Sequence, residues 1–225
     1  MRQITVVDDP GAAIAERLTA AAEQGGHIVL TGGSSPRDAY GIAAERDADW
    51  SGATVWFTDE RCVPPDDENS NFGMADLALL SRLSRPPRVM RIEGELGHEA
   101  AAGAYEAVLR EHLGPEPRFD LVLLGVGPDA HVASLFPGKP ELEETSRLAA
   151  PVPIAGLDPQ IPRVTLTFPV LNAARQVDVL VTGADKADAV ARSFGDPPDP
   201  EASAARVRPA GSLCVYLDEA AAGRL

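Results

Sequence analysis

The sequence contains only two cysteines, Cys62 and Cys214, among its 225 residues. They lie far apart and lack the close pairing that is typical of zinc-binding and disulfide-rich proteins. The sequence therefore predicts neither a metal site nor a disulfide framework. Lysine is just as scarce, because Lys139 and Lys186 are the only lysines among 20 basic residues. Each lysine either marks a place that needs a compact ammonium group or is there by chance.

Basic residues are fewer than acidic ones: the sequence has 20 Lys and Arg residues and 34 Asp and Glu residues, which gives a net charge of −14. Such a chain repels nucleic acids and anionic membranes, so we expect neither of them as a partner. A phosphorylated small molecule remains a candidate ligand, provided that the fold gathers a local cluster of cations.

Long apolar runs are absent as well. No stretch approaches the roughly 20 apolar residues that a membrane-spanning helix needs. The opening residues 1–11 also lack the apolar segment of a secretory signal peptide, so we expect a cytoplasmic protein. The length of 225 residues suits a single domain over residues 1–225.

The sequence does contain a regular alternation of short apolar runs and amphipathic segments. The runs predict strands and the amphipathic segments predict helices. This order favours an α/β fold with a mostly parallel sheet and helices on both faces. Residues 195–210, rich in proline and aspartate, predict a mobile loop. The predicted strands are 4–7, 27–30, 54–57, 88–91, 121–124, 163–168, 177–181 and 212–217, and the main predicted helices are 11–23, 37–46, 71–83, 97–112 and 185–194.

Residues 119–140 carry the strongest chemical signal. An apolar strand ends there at Gly125, and Asp129 and His131 follow directly. Ligands bind outside the carboxyl ends of strands in open parallel sheets, so we expect both side chains at a site. Histidine titrates near neutral pH, and the aspartate could orient it. A plain surface loop is one alternative; a nucleotide-binding glycine loop is the other, disfavoured because Pro128 lacks an N–H group.

A second signal is the junction TGGSSP, residues 31–36, between a predicted strand and a predicted helix. Its glycines let backbone N–H groups approach an anion, and Ser34 and Ser35 add hydroxyl donors. A helix N-terminus also carries positive partial charge. The junction predicts a phosphate site, with an ordinary strand-to-helix turn as the alternative.

Charged residues mark two further places. Asp59, Glu60 and Arg61 follow a predicted strand and form either a solvated turn or part of a site, and a long polar loop comes next. Lys186 lies in the first turn of a predicted helix, where a cation opposes the helix dipole. It either faces an anion or is an ordinary solvated lysine.

Four segments in chain order resemble the motifs of the 6-phosphogluconolactonase family: TGGSSP, FTDERCVPPDDENSN, LLGVGPDAHVASLFPG and RVTLTFPVLNAARQVDVLVTGADKA. The resemblance implies a three-layer α/β/α sandwich on a mostly parallel, Rossmann-like sheet, which deaminases of glucosamine 6-phosphate and ribose-5-phosphate isomerases share. It also implies hydrolysis of 6-phospho-D-glucono-1,5-lactone to 6-phosphogluconate in the oxidative pentose phosphate pathway. Neither a metal nor an organic cofactor is implied. We expect a monomer or a weak homodimer.

The resemblance also implies roles for residues at matching motif positions. His131 would be the base that activates water, Asp129 would orient it, and Arg61 would steady the developing negative charge. Where the family usually has glycine this chain has Ala130, which is costly if the backbone φ there is positive. Asp59 and Glu60 are implied in binding sugar hydroxyls or fixing Arg61. The implied phosphate ligands are Gly32, Gly33, Ser34, Ser35, Arg163 and Lys186.

Two alternatives stay open. The first is an amino-sugar phosphate deaminase or sugar-phosphate isomerase of the same fold. Such deaminases carry Gly-Phe-Asn-Glu after the histidine, whereas residues 133–137 here are ASLFP. The second is a non-catalytic sugar-phosphate sensor with the same pocket, which the intact pair of Asp129 and His131 disfavours.

Overall fold

A computed structural model describes residues 2–225, in which strands and helices alternate along the chain. The strands are β1 (Arg2–Val6), β2 (His27–Leu30), β3 (Thr54–Phe57), β4 (Asp59–Arg61), β5 (Arg88–Val89), β6 (Leu121–Leu124), β7 (Ala149–Val152), β8 (Arg163–Leu166), β9 (Gln176–Val181) and β10 (Ser212–Leu217). The α-helices are α1 (Pro10–Glu23), α2 (Ser34–Ala44), α3 (Asn71–Ala78), α4 (His98–Leu113), α5 (Phe168–Ala173), α6 (Ala187–Phe194) and α7 (Glu219–Ala222).

A central sheet holds seven of the strands described in residues 2–225, in the order β1-β10-β9-β6-β2-β3-β5. Neighbouring strands in this sheet are parallel. The middle strand β6 is buried along its whole length, as expected for branched aliphatic residues in a sheet that helices cover on both faces. The predicted α/β/α sandwich on a mostly parallel sheet is confirmed.

The strand order reverses between β2 and β6. From β2 the chain moves outward to β3 and β5, whereas from β6 it moves the other way to β9 and β10. The loops that follow β2 and β6 therefore leave their strands in diverging directions and open a crevice at the carboxyl ends. The crevice brings together the glycine-rich junction of residues 31–36 and the segment that carries His131.

A second sheet, which the sequence did not predict, has the antiparallel order β4-β8-β7. Asp59, Glu60 and Arg61 were expected on a loop, but they form β4. Asp59 pairs with Thr165, and Arg61 pairs with Arg163. The pairing joins residues about a hundred positions apart, so no local pattern indicates it. It sets Arg61 and Arg163 side by side near the crevice.

Two helix ends differ from the prediction by three residues or more. Helix α2 begins at Ser34, three residues early, because Pro36 lies in its first turn, where a missing N–H group costs no hydrogen bond. Helix α3 ends at Ala78 instead of residue 83, because Leu79 leaves the helical conformation with φ −134°. A short 3₁₀ turn follows it.

The segment 195–210, predicted to be a mobile loop, is packed instead. It contains a 3₁₀ turn at Ser203–Arg206, and Ala202 and Ala204 are fully buried. Proline and aspartate dominate only its first half. The second half is rich in alanine and valine, which supply the apolar surface that holds the segment against the core.

The apolar core extends from Ile14 in α1 to Ala221 in α7. Within residues 2–225, no helix has both the length and the apolar character needed to span a membrane. The prediction of one domain over residues 1–225 stays a prediction.

Candidate active site

A cavity of about 370 Å³ opens at the carboxyl ends of β2, β6 and β9, where the strand order reverses. This volume is in the range of small-molecule sites. Of the residues implied by the sequence, those that line it are Gly32, Gly33, Ser34, Ser35, Asp59, Arg61, His131, Arg163 and Lys186.

His131 lies on the segment after β6, which we call the His131 loop (residues 125–137). Its Nδ1 atom is 2.5 Å from Oδ1 of Asp129, and its amide N–H donates to the same oxygen at 3.2 Å. A carboxylate partner favours a proton on Nδ1 and leaves Nε2 as the basic atom. In the described residues, 2–225, Nε2 has no hydrogen-bond partner, and the ring lines the cavity.

Asp129 is suited to remain charged. Partial burial opposes its ionisation, but the hydrogen bond and the charge of His131 outweigh burial and place the pKa of the Asp129 carboxyl below its ordinary value. The histidine ring is also packed against Phe136, with 4.5 Å between the ring centroids. Gly127 permits this arrangement, because a Cβ atom there would overlap the His131 ring.

The His131 loop contains a strained turn. Ala130 has φ +70° and Ala133 has φ +51°, both in the left-handed region that L-residues with a Cβ atom avoid. A left-handed conformation costs such a residue about 1 kcal/mol. Ala130 therefore has the positive φ that makes alanine more costly than glycine at this position. The neighbouring hydrogen bond from the Ala130 N–H to the Gly127 carbonyl, 2.9 Å, closes the turn.

The junction after β2 presents the N-terminus of α2 to the cavity. Gly33 has φ +111°, a conformation that glycine adopts without strain, and turns the chain into the helix at Ser34. The hydroxyls of Ser35 and Thr182 share a 2.6 Å hydrogen bond, which joins this junction to the end of β9. Free backbone N–H groups at the start of an eleven-residue helix make this edge of the cavity suitable for an anion.

Strand β4 sends its alternate residues in different directions. Asp59 lines the cavity, where its Oδ1 accepts from Thr58 and its Oδ2 accepts from Ser134, at 2.8 and 2.7 Å. Arg61 lines it too, with Nη1 bonded to the Asn69 carbonyl at 2.6 Å. The Nε atom of Arg61 is buried without a partner among residues 2–225, which leaves donor capacity for a ligand.

Glu60 does not line the cavity, although the resemblance implied that it binds substrate or fixes Arg61. Its carboxylate accepts hydrogen bonds from the N–H groups of Arg61, Asn71 and Phe72 and from the Ser70 hydroxyl. Burial raises the pKa of Glu60, and these four donors oppose the rise. Glu60 therefore ties β4 to the start of α3, and its contact with Arg61 is through the backbone.

Arg163 and Lys186 each place a cation at the lining of the cavity. Arg163 is 4% exposed, its guanidinium carbon lies 5.4 Å from the Phe136 ring centroid, and one Nη donates to the Pro159 carbonyl. Burial lowers its pKa, but arginine stays charged in proteins. Lys186 ends a 3₁₀ turn after β9, which Asp218 fixes by accepting from the N–H of Gly183 at 2.9 Å.

Some cavity residues were missed at first. Asn71 was predicted only as the start of a helix, whereas its side chain donates to the Asp59 carbonyl at 2.9 Å and Ser70 is the N-cap of α3. Phe136 contacts both His131 and Arg163, yet as an apolar residue it gave no chemical signal. Both positions fall inside the quoted motifs. Within residues 2–225, no group of three or more His, Cys, Asp or Glu side chains is arranged to hold a metal ion.

Comparison with known proteins gives the family. Residues 3–215 match the family model described as glucosamine-6-phosphate isomerases/6-phosphogluconolactonase. The chain belongs to this family. A 6-phosphogluconolactonase of Homo sapiens is 46% identical over 173 residues, which are 75% of this chain and 67% of that protein. One from Mycobacterium leprae is 37% identical over 98% of this chain and 94% of that protein.

A solved structure agrees with this family assignment. The crystal structure of 6-phosphogluconolactonase from Thermotoga maritima has a TM-score of 0.85 and 30% identity, over 97% of this chain and 100% of that chain. That structure therefore shares the fold described above, in which the cavity lies where the central sheet reverses its strand order.

Proposed function

We propose that this protein hydrolyses 6-phospho-D-glucono-1,5-lactone to 6-phospho-D-gluconate, the lactonase step of the oxidative pentose phosphate pathway. The observation that carries the proposal is a single cavity that holds a carboxylate-oriented histidine with a free Nε2 atom and, around it, three basic side chains. These three are Arg61, Arg163 and Lys186. They give a local positive site in a chain of net charge −14.

The chemistry requires little more than water and a base. His131 Nε2 takes a proton from a water molecule whose oxygen forms a bond to the lactone carbonyl carbon. The carbonyl oxygen becomes an oxyanion, which the Arg61 guanidinium stabilises. The bond from that carbon to the ring oxygen then breaks, and His131 returns the proton to the ring oxygen. Asp129 holds the imidazole in the correct tautomer and stabilises its protonated form.

The phosphate is bound in the same cavity as the reacting carbonyl. Its ligands are the N-terminus of α2 at Ser34 and Ser35, together with Arg163 and Lys186. Asp59 is then placed to accept hydrogen bonds from sugar hydroxyls, and its negative charge offsets the repulsion between Arg61 and Arg163. Binding at both ends of the substrate orients the carbonyl towards the water that His131 activates.

Further properties follow from the same proposal. Neither a metal nor an organic cofactor takes part, because an activated ester needs only water, a base and charge stabilisation. The partner is a small-molecule sugar-phosphate lactone, and we propose neither nucleic acid nor membrane as a ligand because of the charge of −14. We also propose a monomer or weak homodimer in the cytoplasm.

The test is a direct hydrolysis assay. Purified protein is mixed with freshly made phosphogluconolactone, and acid release is followed with the spontaneous rate subtracted. We expect release well above that rate and no ammonia from glucosamine 6-phosphate. Acid release at the spontaneous rate contradicts the proposal and favours a sensor, whereas ammonia release favours a deaminase.

A further inference from the structure

Two hydrogen bonds hold the backbone of the His131 loop from outside the cavity. The N–H of Ala204 donates to the Ala130 carbonyl at 3.0 Å. Nη1 of Arg192 donates to the Asp129 carbonyl at 3.3 Å. The two carbonyls belong to consecutive residues just before His131, and neither donor residue lines the cavity.

Arg192 is itself held in place. It projects from α6, and its Nε donates to Oδ2 of Asp199 at 2.8 Å. The N–H of Asp199 donates back to the Arg192 carbonyl at 2.7 Å. The hydrogen bond from Arg192 is also the main reason that the pKa of Asp199 is below its ordinary value. The guanidinium is thus fixed beside the Asp129 carbonyl by the segment 195–210.

The clamped carbonyls flank a turn that needs restraint. Ala130 is fully buried and has φ +70°. Steric repulsion of its Cβ atom makes this conformation less favourable than one with negative φ. It lies between Asp129 and His131. A relaxed turn would rotate the peptides on both sides and change the 2.5 Å contact of the two catalytic side chains. Besides the hydrogen bond from Ala130 to Gly127 within the turn, the contacts that oppose this relaxation come from the segment 195–210 and α6.

We propose that Arg192 is a positioning residue. It holds Ala130 in its left-handed conformation and so keeps the Asp129 carboxylate in hydrogen-bonding contact with the His131 ring. The inference rests on the proposed function, and it assigns a role to the packed segment 195–210. It also explains how the chain functions with alanine at a position where the family usually has glycine. Restraint from Arg192 and Ala204 replaces the conformational freedom of glycine.

The competing view is that Arg192 only ties α6 to the segment 195–210. The two views differ in what happens at residue 130. If Arg192 works against the strain at Ala130, then the A130G substitution, which removes that strain, makes Arg192 dispensable. If Arg192 is merely a structural contact, its loss has the same effect with alanine or glycine at that position.

The experiment is a double-mutant cycle with the variants Arg192→Met, A130G and both together. Met keeps the length and apolar stem of Arg192 and removes its donors. We expect Arg192→Met alone to lower kcat about tenfold with KM changed less than about twofold, and to lower kcat only about twofold in the A130G background. Arg110→Met is the matched control, because Arg110 pairs with Glu106 on the exposed face of α4.

An equal loss of kcat in both backgrounds, or no loss in either, overturns the proposal. A second readout does not depend on activity: the ring signal of His131 in NMR spectra, assigned by its absence in His131→Asn. We expect Arg192→Met to shift this signal and the A130G background to restore it. A wild-type protein without lactonase activity overturns the proposed function, and the NMR cycle then decides the role of Arg192.

A second variant covers the case in which Arg192→Met does not fold. Asp199→Asn leaves the guanidinium in place but removes the carboxylate that fixes it. We expect a smaller loss of kcat, about threefold, that again disappears in the A130G background. A loss that persists there contradicts the positioning role.

Discussion

The hydroxyl of Ser134 donates a 2.7 Å hydrogen bond to Oδ2 of Asp59, and this bond joins the His131 loop to strand β4. Ser134 is fully buried, and its N–H donates to the Thr165 hydroxyl on β8. Two buried hydrogen bonds of Ser134 therefore connect the loop that carries the base to the small antiparallel sheet that carries Asp59.

We expect Ser134→Ala to lower the free energy of unfolding by about 2 kcal/mol, because it leaves a buried carboxylate oxygen of Asp59 without a partner. The same change should lower kcat, since Asp59 is freed to move in the cavity. Urea unfolding and a kinetic assay measure the two effects. Ser81→Ala, which removes an exposed hydroxyl, is the control, and a Ser134 variant as stable as this control contradicts the role of the bond.

The phosphate site predicts a change in substrate preference. Arg163→Ala and Lys186→Ala should each lower kcat/KM for the phosphorylated lactone by about 2–5 kcal/mol, because each removes a desolvated charge partner of the phosphate. Activity on plain gluconolactone should change little. The ratio of the two kcat/KM values is the measurement. Lys139→Ala, the other lysine, is the control, and ratios equal to wild type in both cavity variants place the phosphate elsewhere.

The depressed pKa of Asp129 predicts how stability depends on pH. Such a carboxyl adds stability above its ordinary pKa of about 4 and loses it as the pH falls through the lower folded-state value. Asp129→Asn should therefore be less stable than wild type near pH 7, and the difference should shrink as the pH falls below the ordinary carboxyl pKa of about 4. Urea unfolding at a series of pH values tests this. The exposed Asp66→Asn is the control, and a pH-independent difference for Asp129→Asn contradicts it.

Hydrolysis without a covalent intermediate is a further prediction. Ser134 is fully buried and bonded to Asp59, and the Ser35 hydroxyl is bonded to Thr182. Burial, with a smaller effect of Glu60, raises the pKa of the Cys62 thiol to about 11, so it is not a thiolate at neutral pH. Mass spectrometry of quenched reactions should show unmodified protein. An acyl adduct on any serine or cysteine refutes direct attack by water.

The parts of the candidate site that lie close together in the sequence could be predicted from it. Asp129 and His131 are two residues apart on one loop after an apolar strand, so their meeting needed no knowledge of distant residues. The strand-to-helix junction at residues 31–36 was predictable for the same reason. Helix α2 begins three residues before the predicted start, because Pro36 can occupy any position in the first turn and so does not fix the first helical residue.

The features that were not predicted depend on contacts between residues far apart in the sequence. Strand β4 exists because Asp59 pairs with Thr165, and the face that each of its side chains takes follows from that pairing. The sequence therefore showed that Glu60 is charged but did not show that its side chain lies outside the cavity. The role of Arg192 was hidden for a similar reason, because its partner is a carbonyl 63 residues away.

The most direct test of the whole account is the kcat of His131→Ala on 6-phosphogluconolactone, corrected for spontaneous hydrolysis. We predict a fall of about 10²- to 10⁴-fold, the usual contribution of a general base, with KM changed by less than about threefold. His98→Ala, at the start of α4 and away from the cavity, should keep the wild-type kcat. A His131→Ala protein with the wild-type kcat would contradict the assignment of the base and, with it, the mechanism.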